Sequence, residues 1–272
     1  MQVYHGMDIG TAKPTPAERA EVPHHMIDVA DPWEDYSVAR FQRAARAAIT
    51  DIESRGKRAL LVGGSGLYFQ AVVDDLRFPG EDRALRARIE ARVGAPGGLD
   101  AAYAELRERD PVAASRIEPG NARRIVRALE VMELTGEPFS ASGPGLEQYA
   151  QPVVPVRITA LAVPTDELGR RIGERLAAMF DEGLVEEVAA LAADPRGWSG
   201  TARQAIGYQE VEDLQAGRLP SVDAAIEAAT ARTRRFARRQ RAWFRRDPRI
   251  TWIDGCNSAG ALPAVLASWG ER

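Results

Sequence analysis

The stretch Ala59-Leu60-Leu61-Val62-Gly63-Gly64-Ser65-Gly66-Leu67 decides the fold class. A short unbroken apolar run, then glycines and a serine, then a new apolar stretch reads as a buried strand turning sharply into a helix. Upstream, Val38, Phe41, Ala45, Ile49 and Ile52 recur every three or four residues, Ser37 stands where an N-cap belongs and Gly56 closes the pattern. That spacing predicts an amphipathic helix over 37–55. Helix, strand, glycine turn, helix is the order of α/β proteins. Two further strands are predicted at 156–163 and 249–253, both short and apolar. Between 77 and 151 strand signals give way to helical patterns rich in arginine and glutamate, over 82–93, 99–109 and 121–135. The expected organisation is a core α/β domain over 1–76, a helical insertion over 77–151, and the core resumed over 152–272. Three strands make an incomplete parallel sheet, because doubly wound nucleotide-binding folds place their first strand and its phosphate loop at the centre.

Composition narrows the function classes. The chain has 272 residues, 45% of them hydrophobic, enough for one large domain or two small ones. Its net charge of -3 excludes a generic polyanion binder, so any nucleic-acid contact must come from uneven charge. The single cysteine, Cys256, excludes an internal disulfide and a cysteine-based zinc finger. No apolar stretch approaches the roughly 18 residues that would span a bilayer, and the expected location is the cytoplasm.

Charge is indeed uneven. Lysine occurs only at 13 and 57, so every other basic residue is arginine, and no acidic residue lies between Ala228 and Arg246. There Val222, Ile226, Ala229, Thr233, Phe236, Gln240 and Trp243 step by fours and threes along one predicted helix face. Thr233 and Gln240 are polar positions on that face and need partners. Arginines 232, 234, 235, 238, 239, 241, 245 and 246 occupy the other faces, and a surface of one sign points to RNA phosphates over an ordinary mixed-charge face. A second cluster, Arg123, Arg124 and Arg127, precedes Glu130 and Glu133, and reads by itself equally as a salt-bridged helix. Together the two clusters read as two walls gripping one polyanion. Three smaller features stay open. Gly63-Gly64-Ser65-Gly66 is an anion-binding loop or a tight turn; Asp8 to Lys13 suits phosphate or a turn; Arg203, before Gly207-Tyr208, forks onto a diphosphate or is simply exposed.

Taken in order, these segments resemble those of the tRNA dimethylallyltransferases, the IPP transferase family. The resemblance rests on Gln2-Val3-Tyr4, Gly6-Met7-Asp8-Ile9-Gly10-Thr11-Ala12-Lys13-Pro14, Asp28, Tyr36-Ser37, Leu61 to Tyr68, Arg123-Arg124 with Arg127 to Val131, Ala205 to Tyr208, and Thr233-Arg234 with Arg238-Arg239-Gln240 and Trp243. It implies a P-loop-NTPase-like parallel sheet core with a helical insertion. It implies transfer of a dimethylallyl group from dimethylallyl diphosphate to the exocyclic amine of the adenine 3′ of the anticodon, with Mg²⁺ on the diphosphate. Carried over by position, Arg203 supports the diphosphate and Ser65 lies beside the reaction channel, with Gly63, Gly64, Thr11 and Lys13 also on the diphosphate. Gln2, Ser65, Arg86, Arg123, Arg124, Arg127, Arg234, Arg235, Arg238, Arg239 and Gln240 contact the tRNA anticodon stem-loop, and the expected state is a monomer.

One departure is large. The family's GxTxSGK[ST] loop and the aspartate that takes the amine proton are not found in these residues. The reading is therefore of a prenyltransferase whose first strand and P-loop precede Met1, inactive as written, with a non-catalytic RNA-binding remnant as the alternative. A prenyltransferase for free adenine nucleotides is disfavoured, since a small substrate needs neither the insertion nor two basic walls.

Overall fold

The computed structural model describes residues 1–142, 146, 149, 152–256 and 258–270. They form two compact units, Met1–Val72 with Pro155–Arg272, and Val73–Val154. Residue 151, the expected far edge of the insertion, lies outside the described residues.

The first unit begins with the short helix α1 (Pro16–Glu21) and the long α2 (Val38–Ser54), followed by α3 (Gly66–Val73). The Ser37 hydroxyl accepts from the Arg40 amide at 3.2 Å, as its N-cap position predicts. In the second unit, α4 (Arg83–Gly94), α5 (Gly98–Arg109), α6 (Pro111–Arg116) and α7 (Ala122–Thr135) pack around Leu85, Ile89, Leu106, Ile125, Leu129 and Met132. Asp82 and Asn121 cap α4 and α7 through their side-chain oxygens. Helix α6 was not foreseen; Pro111 at its first position and the Asp110 carboxylate on the Ala113 amide nucleate it.

The chain then returns to the first unit with β1 (Ile158–Ala162), α8 (Thr165–Asp181), α9 (Leu184–Ala192), α10 (Gly200–Arg203), α11 (Tyr208–Gln215), α12 (Val222–Phe244), β2 (Ile250–Asp254) and α13 (Ser258–Ser268). Strands β1 and β2 pair in parallel, Ile158 opposite Ile250 and Ala160 opposite Trp252. Helix α13 is tied to them by the Trp269 indole N–H donating to the Thr159 hydroxyl at 2.9 Å.

The expected strand at 59–62 does not form. Leu60 and Val62 are 69% and 80% exposed, and the run has no ladder partner among the described residues. A strand exists only through its neighbour's hydrogen bonds, so apolar content alone does not make one. The core of this unit is built instead from helices, with Ile172, Leu176 and Met179 of α8, Leu184 and Val188 of α9, Tyr208 and Val211 of α11, and Ala225 and Ala229 of α12 around Tyr4 and Met7. Each large apolar side chain buried there contributes about 1.5–3 kcal/mol. Alanines at 225 and 229 let α12 approach closely, which fixes the long helix against α8 and α11.

Candidate functional site

The glycine-containing loop 8–13 is held by groups far away in sequence. The Glu187 carboxylate, on α9, accepts from the successive amides of Asp8 (3.0 Å), Ile9 (2.8 Å) and Gly10 (3.3 Å). Three amides converging on one carboxylate form an anion nest, filled here from within the chain. The same carboxylate accepts from the buried Tyr208 phenol at 2.5 Å. Burial, and then the neighbouring Glu187, push the Tyr208 phenol well above the usual tyrosine range, so it stays a donor. Gly10 is required by this packing, since a Cβ there would collide with the Tyr208 ring and Leu184. Thr11 donates to the Met7 carbonyl at 2.6 Å, and the Gln2 amide spans the Thr11 and Ala12 carbonyls at 3.0 and 2.8 Å.

Lys13, expected on the diphosphate, is bonded within its own loop and to its neighbours. Its ammonium is buried, and its three donors go to Asp8, to Asp28 at 2.6 Å and to the Tyr4 carbonyl at 2.8 Å. Burial pushes the Asp28 carboxyl up, but hydrogen bonds from Lys13 and Arg19 outweigh it and hold the group below its ordinary value. The adjoining cleft, about 670 Å³, is lined by Lys13, Arg19 and Arg175 against Asp8, Asp28 and Glu182. Its charges balance, which suits neither a diphosphate nor RNA.

The C-terminal half of α12 carries a different arrangement. The Gln240 amide donates to the Gly64 carbonyl at 2.7 Å, and Gly64 and Gly66 lie so close to Gln240 and the Trp243 indole that a Cβ at either would overlap them. The 63–66 loop therefore rests on the helix, with Ser65 exposed beside it. The Thr233 hydroxyl donates to the Ala229 carbonyl at 2.8 Å, so both polar positions of the stripe have partners. Eight residues before Gln240, Arg232 forks onto Glu210 at 3.0 Å and the Gln204 carbonyl at 2.8 Å, which fixes the turn after Arg203. Arg203 itself is 63% exposed and paired with Glu212 at 2.9 Å. Arg241 donates to the Val163 carbonyl at the end of β1 at 2.5 Å.

Among the remaining arginines, Arg234 gives one N–H to the Gly169 carbonyl at 3.0 Å. Arg235, Arg238 and Arg239 are exposed and have no carboxylate within ion-pair distance among the described residues. Phe236, expected to face inward, is instead 40% exposed, with the Arg239 guanidinium 5.9 Å from its ring centre. The helix has 23 residues and runs about 35 Å, and its inward stripe is interrupted at Phe236 before Gln240 and Trp243 meet the 63–66 loop.

In the second unit, Arg86 and Arg127 converge on Glu130, whose side chain is fully buried. Arg86 reaches it at 2.9 and 3.1 Å, Arg127 at 2.8 Å, and the Asp82 amide adds a fourth bond at 3.1 Å. Arg127 also donates to the Pro79 and Gly80 carbonyls. Burial pushes the Glu130 carboxyl up, but the bonds from Arg127, Arg86 and the Asp82 amide win and hold it below its ordinary value. Arg123 and Arg124 stay exposed on α7.

Within the first unit the structure thus gathers Gly63, Gly64, Ser65, Gln240 and the arginines of α12 on one element, with the turn after Arg203 bound to the same helix. It sets Thr11, Lys13 and Gln2 in a separate, internally bonded loop. Glu187 and the Tyr208–Gly10 contact escaped sequence reasoning, because Glu187 lies 179 positions from Asp8 and carries no local signal.

An α/β protein whose longest helix presents an open arginine face has the electrostatic footprint of a nucleic-acid-binding protein. The chain matches the IPP transferase family model over residues 2–247 and belongs to that family. It is 54% identical over 262 residues to the tRNA dimethylallyltransferase of Kineococcus radiotolerans, covering 96% of this chain and 81% of that one. To the tRNA dimethylallyltransferase of Salinispora arenicola it is 52% identical over 271 residues, covering 98% and 78%. The solved full-length tRNA isopentenylpyrophosphate transferase of Bacillus halodurans superposes with a TM-score of 0.66 at 38% identity, over 99% of this chain and 84% of that one. A eukaryotic dimethylallyltransferase crystallised acting on tRNA shares the fold, with a TM-score of 0.79 at 24% identity, over 100% and 72%.

Proposed function

We propose that this protein transfers a dimethylallyl group from dimethylallyl diphosphate to the exocyclic amine of the adenine 3′ of the anticodon in tRNA, acting as a cytoplasmic monomer. The observation that carries the reading is α12. One helix presents Arg235, Arg238 and Arg239 without carboxylate partners among the described residues, and holds the 63–66 loop through Gln240. Phosphates neutralised by such a face fix the register of an RNA. Ser65 and the amides of Gly63 and Gly64 then stand beside the bound RNA, where a diphosphate can reach them. Arg203 turns to the leaving group by exchanging Glu212 for phosphate oxygens, a charge-assisted trade made easy by its exposure. Gln2, Arg123, Arg124 and Arg234 add RNA contacts, and Arg86 and Arg127 add weaker ones through the N–H groups that Glu130 leaves.

The exocyclic amine is a weak nucleophile because its lone pair is delocalised into the ring, so transfer needs a base and a stabilised leaving group. The 272 residues contain no GxTxSGK[ST] stretch. The Mg²⁺ implied for the family would be held mainly by diphosphate oxygens and water. Residues 1–272 by themselves are therefore expected to bind RNA without turning over. The test incubates this polypeptide with tRNA and radiolabelled dimethylallyl diphosphate, and measures RNA binding across a salt series. Salt-sensitive binding without transfer is the expected result. Transfer at the rate of a full-length relative overturns the inactivity, and binding indifferent to salt overturns the RNA reading.

A further inference from the structure

Phe236 is an aromatic ring left wet on the most basic surface of the chain. It is 40% exposed and belongs to neither apolar core. Arg232, Phe236 and Gln240 are spaced by four, so they follow one another along a single stripe of α12. The two flanking members each hold a loop: Arg232 the Gln204 carbonyl, Gln240 the Gly64 carbonyl. Those anchors lie about 12 Å apart along the helix axis, and Phe236 stands midway. Along the helix it therefore lies between the residue that holds the turn after Arg203 and the residue that holds the 63–66 loop. Arg239 adds a guanidinium 5.9 Å from the ring centre.

A solvent-exposed phenyl ring beside the guanidinium of Arg239, on a helix whose Arg235 and Arg238 also lack carboxylate partners among the described residues, fits one ligand chemistry closely. The charges take phosphates, and the ring takes the flat face of a base that has left its own stack. Double-stranded RNA keeps its bases stacked and offers no such face, so the ligand is a single-stranded loop. We propose that Phe236 is the stacking platform for the adenine 3′ of the anticodon, seating it between the two loops that Arg232 and Gln240 hold. Phe236 is thus a positioning and specificity residue. The proposal rests on the RNA reading given above, but it assigns a residue that charge and loop motifs do not mark.

The test compares two synthetic anticodon stem-loop RNAs, one with adenine 3′ of the anticodon and one abasic at that position, on the protein as it stands. The wild-type protein is expected to bind the adenine RNA roughly tenfold more tightly, within the range that one base–aromatic stack covers. Phe236→Leu keeps apolar volume without the π face and is expected to bind both RNAs equally, at the abasic affinity. Phe236→Tyr keeps the face and is expected to restore the discrimination. A Phe236→Leu protein that still discriminates overturns the platform. A structural role is separated by melting temperature: a variant that loses discrimination only because it has lost stability also overturns it. If wild-type binding to both RNAs is weak and indifferent to salt, the RNA reading itself fails, an outcome distinct from salt-sensitive binding without discrimination.

Discussion

The two arginine clusters differ in what they face. On α7, Arg127, joined by Arg86 from α4, is turned onto a carboxylate with no exposure at all, Glu130. On α12, Arg235, Arg238 and Arg239 face solvent with no carboxylate in range among the described residues. Arginines that look alike in a sequence therefore do different things. A buried carboxylate turns arginines into a fastening and fixes the direction in which their remaining N–H groups point. An open row keeps its full charge for a polyanion, at the cost of like-charge repulsion along the helix. The α12 cluster contains its own internal contrast, because Arg232 is fastened to Glu210 and Gln204 whereas Arg235, one residue beyond Arg234, is not.

The sharpest way to break this comparison is Glu130→Ala. Removing the carboxylate leaves Arg86, Arg127 and the Asp82 amide facing an uncompensated buried space. The expected loss is about 2–3 kcal/mol in the second unit, below the range for fully buried pairs because both guanidinium groups keep some contact with water. Hydrogen exchange of α4 and α7 amides would measure it, and an unchanged exchange rate would show the fastening to be idle. The pH dependence has a definite sign. Because the folded Glu130 carboxyl lies below its ordinary value of 4.5, its stabilisation is fully present above that pH and is lost as pH falls through the lower folded value. Glu130→Gln should flatten the acid side of the second unit's stability curve, and a curve unchanged by the substitution would locate the acid sensitivity elsewhere.

A smaller effect is expected from Arg232→Ala on the other helix, because its partner Glu210 keeps the Gly207 amide at 2.8 Å. The loss should be about 1–2 kcal/mol in thermal unfolding, that of one charge-assisted bond pair partly replaced by water. A neutral result would place Arg232 with the open row. Either way, the distinction could not have been made from the sequence, where Arg232 and Arg235 look alike. What could be read was local: the cap Ser37, the strands expected at 156–163 and 249–253, and the helix that bears the arginines. These follow from periodicity and turn chemistry within a dozen residues. Partners across long separations could not be read, as Glu187 on the Asp8–Gly10 amides, Tyr208 against Gly10, and Arg86 on Glu130 illustrate. The unpaired run at 59–62 fails for the same reason, since a strand is a statement about its neighbour. Phe236 fails differently: its spacing is correct, but periodicity cannot tell which positions of a stripe find something to pack against.

The smallest change in stability should come from Arg238→Ala, which nonetheless decides whether the open row is a nucleic-acid surface. Arg238 is exposed and makes no ion pair among the described residues, so its removal should leave the melting point within about 0.5 kcal/mol of the wild type. If it neutralises one phosphate, anticodon stem-loop affinity should fall by about the same factor for every loop sequence, and the slope of log affinity against log salt should shrink by about one. The fastened Arg232 should lower stability more and the salt slope less, since its charge is already spent on Glu210. Titrations of both variants over a salt series would separate the two kinds of arginine on one helix. A slope that shrinks equally for both would mean that pairing with a carboxylate does not withdraw an arginine from RNA, and the contrast between α7 and α12 would then lose its meaning for recognition.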